Sequence, residues 1–459
     1  MAYIDSSVFR AYDIRGIIGQ QLDEADFFRI GQAIAYRLQA LGRTKIIVAR
    51  DGRLTSDALG LAIQKGLLSS GVDVINLGAV ATPVMYYATH TIPDVDSGLI
   101  VTGSHNPADY NGIKIVLAGK TLVQEDIKLL YDLVSQDAYI VGKGIETSVD
   151  MMPDYVGRVT QGIHLKRPLR VVVDCGNGIA GPIIPRVLER LGCDVIELYC
   201  DVDGRFPHHH PDPTIEANLV DLKAAVKLHG ADIGLAFDGD ADRLGVITQQ
   251  GEVIWPDRLM MFFAQHVLRE NPRGTIVYDV KCSSHLASVI AEAGGNARMC
   301  PTGHSIVKGI MKEVKAVLAG EMSGHIFFND RWYGFDDALY SACRLLEMLS
   351  ISSLTVGEQF LLIPNSVNTP EIKIPIVDEN KFSFMARFIA EAEFSNATFI
   401  DIDGIRVEFN DGWGLIRASN TTPCLVARFE AETSVALEKI QALFKVQLHA
   451  IDACLAVPF

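Results

Sequence analysis

No stretch of this chain is long and apolar enough to span a bilayer, and its opening residues, MAYIDSSVFRAYDIRG, carry no basic cluster followed by an apolar run. The expectation is a cytoplasmic protein with no membrane partner. Cysteine is sparse and scattered: of eight thiols the nearest pair in sequence is Cys193 and Cys200, and no two stand at CxxC spacing. A zinc knuckle and a disulfide framework are therefore not indicated, and most thiols read as small core residues. Positive charge is in deficit too, with 41 Lys and Arg against 56 Asp and Glu and a formal net charge of -15. That balance argues against nucleic acid as a partner, while a small anionic ligand stays compatible wherever basic residues cluster.

What the chain does have is repetition. Its 459 residues exceed a single core and point to three or four domains. A β-branched run, a helical stretch and a second apolar run opening on Gly recur three times: KIIVARDGR to GVDVINLG, LRVVVDCGNGIAG to GCDVIELY, and GTIVYDVKCSSH to GNARMCPTGH. Continuous Val/Ile runs of this kind suit strands covered by helices on both faces, so each copy reads as a βαβ unit. After each copy a further apolar run ends in a polar cluster: SGLIV in TGSHNP, ADIGLAF in DGDADR, KAVLAG in EMSGH. Three strand ends in equivalent places imply one shared active site. From about residue 365 the pattern breaks; the turns DGIR and DGWG between strand-like runs predict an antiparallel sheet with helices on one side.

In TGSHNP, Gly103 allows a sharp turn and Pro107 keeps Asn106 out of the helical region, which holds Ser104 on a tight turn at a strand end. Turn capping by Ser104 and Asn106 explains that stretch equally well. DGDADR sets Asp238, Asp240 and Asp242 at alternate positions, and three crowded carboxylates call for a hard cation such as Mg²⁺. An EF-hand is excluded, since its sixth and twelfth loop positions hold Arg243 and Gln249 in place of Gly and Glu. A phosphate on Ser104 would supply a further oxygen ligand, with His105 and Lys114 near enough in sequence to contact it or handle protons. In GEMSGH, Glu321 and Ser323 stand at i and i+2 and would face one way on an extended segment, a pairing suited to a vicinal diol; His325 offers an imidazole, the side chain most used for general acid-base work. A glycine-flanked turn accounts for that motif about as well. RASNTTP gathers Arg417, Ser419, Asn420, Thr421 and Thr422, and reads as a phosphate cradle because the following residues form a strand and leave no helix to cap. The run PHHHP is left as loop, because neighbours on an extended chain point to opposite sides.

Taken in order, FRAYDIRG, TGSHNP, AFDGDADR, DVKC, TGHS, GEMSGH, RASNTTP and the closing VPF make the whole chain resemble the α-D-phosphohexomutase family, and within it the bacterial phosphomannomutase/phosphoglucomutase group. The resemblance implies three related α/β domains with mixed sheets and a C-terminal α+β domain around one central cleft. The expected parts are a phosphoserine domain (1–149), a metal-binding domain (150–252), a sugar-recognition domain (253–364) and a phosphate-binding domain (365–459). It implies a phosphorylated Ser104 that binds Mg²⁺ with Asp238, Asp240 and Asp242. Glu321 and Ser323 would contact sugar hydroxyls, His325 would serve as general base, and Arg417, Ser419, Asn420, Thr421 and Thr422 would hold the non-transferred phosphate. Tyr12, Arg15, Lys114, Lys281 and His304 match further active-site positions, with His105 and Arg243 beside the phosphoserine and the metal. The implied reaction is reversible phosphoryl transfer between O1 and O6 of mannose and glucose phosphates by a monomer, through glucose 1,6-bisphosphate or its mannose counterpart. A metal-dependent sugar phosphatase, a sugar-phosphate sensor and a phosphoglucosamine mutase are the alternatives.

Overall fold

A computed structural model describes residues 4–420 and 422–459. Its first three sheets share one strand order. In the first sheet Tyr110–Leu117, Gly98–Val101, Lys45–Arg50 and Asp73–Ala79 lie side by side; in the second, Leu244–Thr248, Ile233–Phe237, Arg170–Asp174 and Asp194–Leu198 do. The third repeats this with Ile326–Phe328, Leu318–Gly320, Thr275–Asp279 and Asn296–Cys300. In every case the last three strands are parallel and the first runs antiparallel to its neighbour. Parallel neighbours require a crossover, and the helices Ser56–Ser69, Ile184–Arg190 and His285–Glu292 supply it. The antiparallel reversal then leaves a loop at the carboxyl edge of the parallel strands. These loops are TGSHNP, DGDADR and EMSGH, as the repeat predicts.

Burial explains the residue choice. Val171, Val172 and Val173 are completely inaccessible, so both faces of that strand must be apolar. Residues of the first three sheets, such as Ile47, Ile100, Leu235, Ile276 and Leu318, belong to a single continuous core. The fourth sheet is built differently: Ile372–Pro375, Cys424–Ala431, Gly412–Ala418, Ile405–Phe409 and Thr398–Ile400 pair only antiparallel, among the described residues. The helices Lys381–Glu391 and Ser434–Ile451 close its own core through Phe388, Phe429 and Phe444.

This fourth unit touches the others through a small apolar contact of Val280, Trp413 and Leu415 and through two buried arginines. Arg406 donates to the carbonyls of Val280 (2.8 Å) and Cys282 (2.7 Å), and Arg428 to the carbonyl of Lys281. No described helix is long and apolar enough to cross a membrane.

Candidate active site

Ser104 lies in the left-handed region at φ 48° and is buried, on the turn expected from Gly103 and Pro107. Two residues that the motif reading passed over hold it there. Arg53, in the RDGR run at the end of Lys45–Arg50, donates to the carbonyls of Ser104 (2.7 Å), Asn106 (2.6 Å), Pro107 (2.5 Å) and Tyr110 (3.0 Å). Asp51 accepts from the Thr102 hydroxyl (2.8 Å) and the Gly103 amide (3.2 Å), and the Thr102 hydroxyl accepts from the Ser104 amide (2.9 Å). A charged turn at the strand end of the first repeat was the available signal.

The Ser104 hydroxyl crosses to the second unit and donates to Asp238 Oδ2 at 2.9 Å. His105 Nδ1 stands 3.2 Å from the same hydroxyl; burial, with Arg243 and Arg15 nearby, holds its pKa well below the usual range, so the ring is neutral. Arg15 reaches Asn106 Oδ1 (2.6 Å) and Asp13 (2.5 Å). Close approach of the two loops depends on Gly239, where a Cβ would sit 2.3 Å from the Ser104 carbonyl oxygen. Gly239→Ala is expected to lower turnover by roughly 100-fold through a displacement of about 1 Å. Steady-state kinetics decide it, and wild-type rates would refute the contact.

Asp238, Asp240 and Asp242 are fully buried, with one ligand atom from each within 4.8 Å of the others. Lys114 was expected near the phosphate, but its ammonium lies on this trio, 2.7 Å from Asp240 Oδ2 and in contact with Asp242 Oδ2. Its strand Tyr110–Leu117 returns directly beneath the serine turn, and a buried ammonium takes the nearest unbalanced carboxylates. Burial opposes the charge of all three carboxyls. For Asp240 and Asp242 the Lys114 ammonium outweighs it and holds the pKa below the ordinary value, with help from the Thr82 hydroxyl at Asp240 and from His325 and Arg243 at Asp242. For Asp238 burial and the charges of Asp242 and Asp240 win and push the pKa well up. One ammonium is thus too little positive charge for the trio. Asp240 Oδ1 is buried without a hydrogen-bond partner. An all-oxygen set with surplus negative charge and a free carboxylate atom fits a divalent hard cation. The Arg243 amide donates to Asp238 Oδ1 (3.2 Å), and burial is outweighed by Asp212 and the aspartate trio in keeping its guanidinium charged.

The third loop differs from expectation in one respect. Glu321 and Ser323 are not on an extended segment but in a tight turn, closed by the Gly324 amide on the Glu321 carbonyl (3.0 Å) and by the Glu321 amide on the His325 carbonyl (2.9 Å). Gly324, at φ 93°, makes that turn possible. Both side chains converge on His325 Nδ1, Ser323 Oγ at 2.8 Å and Glu321 Oε2 at 3.4 Å, while His325 Nε2 faces Asp242 Oδ1 at 3.2 Å. His304 stacks on His325, with ring centroids 5.4 Å apart. Behind both rings sits Asp336, unforeseen in the sequence, 3.3 Å from His304 Nδ1 and 2.9 Å from Lys308 Nζ.

Burial, then Lys308, lowers the His304 pKa to about 4 against Asp336. A free histidine titrates near about 6.5, so between these values the unfolded chain binds a proton that the folded one refuses. Stability must therefore fall as pH drops through that window, by up to about 3 kcal/mol from this group. His304→Gln is expected to give a shallower decline of the urea midpoint between about pH 7 and pH 4. An unchanged slope would sink the assignment.

The fourth unit brings RASNTTP into the same region, on the turn between Gly412–Ala418 and Cys424–Ala431. Ser419 Oγ and Thr422 Oγ1 are 2.7 Å apart, and Asn420 donates to Tyr12 Oη. Tyr12 in turn donates to the Thr302 carbonyl (2.7 Å), which links the first, third and fourth units. Thr421 lies outside the described residues. Arg417 is bound through Nε to Asp403 (2.9 Å), and Lys281 through Nζ to Glu371 (2.6 Å); neither carboxylate was singled out in the sequence. The histidines of PHHHP are loop residues; His209 contacts Asp174 (3.0 Å) and His208 stacks on Tyr199.

A serine hydroxyl against three buried carboxylates, faced by acid-base side chains and a cationic, hydroxyl-rich turn, is the constellation of a phosphoryl-transfer enzyme. Family models for phosphoglucomutase/phosphomannomutase match the chain four times in order: alpha/beta/alpha domains I, II and III over residues 6–140, 153–251 and 255–364, and the C-terminal domain over 371–445. The chain belongs to the phosphoglucomutase/phosphomannomutase family. It is 48% identical to a phosphomannomutase/phosphoglucomutase of Pseudomonas aeruginosa (99% of this chain, 98% of the relative). It is 49% identical to a phosphoglucomutase of Neisseria meningitidis (98% of each). A crystal structure of a family protein from Burkholderia thailandensis superimposes with a TM-score of 0.95 at 46% identity, covering 99% of this chain and 100% of that one.

Proposed function

We propose that this protein is a phosphohexomutase, moving a phosphoryl group reversibly between O1 and O6 of glucose and mannose phosphates by way of phospho-Ser104. The observation that carries the reading is the 2.9 Å contact of Ser104 Oγ with Asp238, made where loops of three units meet a cationic turn of the fourth. In the forward step the Ser104–phosphorus bond breaks and a bond from the free sugar hydroxyl to phosphorus forms. The hydroxyl proton passes to a nearby base, for which His325 is the candidate, and the Ser104 oxygen leaving phosphorus takes up a proton in its place. The 1,6-bisphosphate then turns over, Ser104 Oγ takes back the other phosphoryl group, and the departing sugar oxygen regains the proton. Both half-reactions use the same residues, which suits a set of parts that is indifferent to which end of the sugar is bound.

Asp238, Asp240, Asp242 and Ser104 would hold Mg²⁺. The ion supplies charge neutralisation at the transferring phosphoryl group. Arg15 and His105 flank the serine, and Arg243 stands over Asp238 and Asp242, where fixed positive charge favours the loose transition state. Glu321 and Ser323 would bind ring hydroxyls, with His304 and Tyr12 closing the site around them. Arg417, Ser419, Asn420, Thr421, Thr422 and Lys281 would hold the phosphate that is not reacting. Mannose and glucose differ only at C2, and relatives of equal similarity carry names with and without the mannomutase activity. Both sugars are therefore assigned as substrates.

Phosphorus NMR of the protein with Mg²⁺, a trace of glucose 1,6-bisphosphate and either glucose 1-phosphate or mannose 1-phosphate tests the reading. The expected products are the 6-phosphates. Free phosphate alone would make it a phosphatase and overturn the proposal.

A further inference from the structure

The cations of the fourth-unit cradle are already balanced within the chain. Lys281, only 5% exposed at its side chain, lies 2.6 Å from Glu371 Oε1 and 3.6 Å from Asp279 Oδ2. Arg417 spends Nε on Asp403, whereas its buried Nη2 has no hydrogen-bond partner. Asp279 and Asp403 are also committed elsewhere: Asp279 accepts from the Met322 amide (3.1 Å) and the Thr302 hydroxyl (3.1 Å), and Asp403 from the Thr302 amide (3.0 Å). Glu371 is different. Lys281 is its only hydrogen-bond partner among the contacts of the described residues, and its side chain is 36% exposed at the rim. It also stands at the first position of the C-terminal domain match, directly after the link between the third and fourth units.

A phosphate monoester brings about -1.5 to -2 charge at neutral pH, and it cannot share an ammonium at close range with a carboxylate without repulsion. The carboxylate that can move is the one with a single tether and an open side. We propose that Glu371 is a resident counter-ion of the phosphate cradle: its carboxylate neutralises Lys281 when no phosphate is bound and is displaced by the phosphate of the incoming sugar. This rests on the mutase reading above and deepens it. Lowered phosphate affinity has a purpose in such a reaction, because a bisphosphate held too firmly by one end cannot turn over to present the other.

The test separates a counter-ion from a strut. If Glu371 merely fastened the fourth unit to the third, its loss would open the cleft and weaken phosphate binding. A displaced counter-ion predicts the opposite sign. Glucose 6-phosphate is titrated calorimetrically into the full chain carrying Ser104→Ala, so that no turnover intrudes, and into the same protein with Glu371→Gln added. The expected result is roughly five- to tenfold tighter binding in the double variant, with Glu371→Asp close to the parent. The gain should vanish when Lys281→Met is also present, since the effect runs through that ammonium. Unchanged or weaker binding in the Glu371→Gln protein overturns the proposal, as does a gain that survives Lys281→Met. If the Ser104→Ala protein does not bind glucose 6-phosphate at all, the cradle assignment falls and the counter-ion with it. Failure of the mutase reading is a separate result, read from wild-type protein that releases only free phosphate.

Discussion

Ser104→Ala should lower mutase turnover by roughly 10³-fold or more and leave the fold in place. The hydroxyl proton already points at Asp238 Oδ2, 2.9 Å away, whereas the neighbouring Thr102 hydroxyl is committed to Asp51 (2.8 Å). Alanine meets the same left-handed strain at φ 48° as serine does, so the backbone change between the two is small. Asp238 Oδ1 keeps the amides of Asp242 (3.0 Å) and Arg243 (3.2 Å) as donors, while the buried Oδ2 loses its donor, at a cost of about 1–3 kcal/mol. In a chain of this size that shifts the melting temperature by about 2–4 °C at most. A coupled assay for glucose 6-phosphate beside a thermal melt checks both halves. Substantial residual activity would remove the phosphoserine from the mechanism, and a collapsed melt would mean that the loss says nothing about chemistry.

Lys114→Met should have the largest effect on stability. Methionine fills much of the volume but leaves Asp242 Oδ2 without its ammonium and Asp240 Oδ2 with only the Thr82 hydroxyl, 2.6 Å away. Three carboxylates would then share a buried site, and removal of one partner from such a network costs about 3–5 kcal/mol. Protonation would relieve part of this, since the pKa values of Asp240 and Asp242 are held down mainly by Lys114. The variant should therefore be most impaired at high pH and recover as the carboxyls protonate. Millimolar Mg²⁺ should raise its melting temperature more than it raises that of the wild type, because a ligand of the folded state alone stabilises it more the tighter it binds, and the cation no longer competes with the ammonium. Thermal melts across pH, with and without Mg²⁺, decide the matter. A variant as stable as the wild type and equally indifferent to Mg²⁺ would show that Lys114 is not what balances the aspartates.

Much of this was legible in one dimension because it depends on local chemistry. A Val/Ile run such as VVVD in Arg170–Asp174 can only be a strand covered on both sides, and its recurrence with a helix and a second strand dictates the parallel order seen three times. Gly103 and Pro107 announce the turn that carries Ser104. Alternating aspartates announce a cation site wherever they end up. Of the two readings of GEMSGH, the glycine-flanked turn holds and the extended segment does not, for a similarly local reason: Gly324 permits a positive φ, and the chain takes the tighter turn.

The residues missed share one property, which is that their partners are far away in sequence. Arg53 is an ordinary basic residue until the loop 51 positions later wraps around its guanidinium. Asp336 is one acid among 56 Asp and Glu until His304, Lys308 and His325 face it. Glu371 has no local signature, and its meaning comes from an ammonium contributed by the preceding unit. The sequence by itself determined the repeat, the strand-end loops and the kind of chemistry each loop can support, because those follow from backbone preference and side-chain type within a few residues. Only the tertiary structure decided which charges neutralise which. Burial makes that pairing strong, and burial arises when four units close around one another.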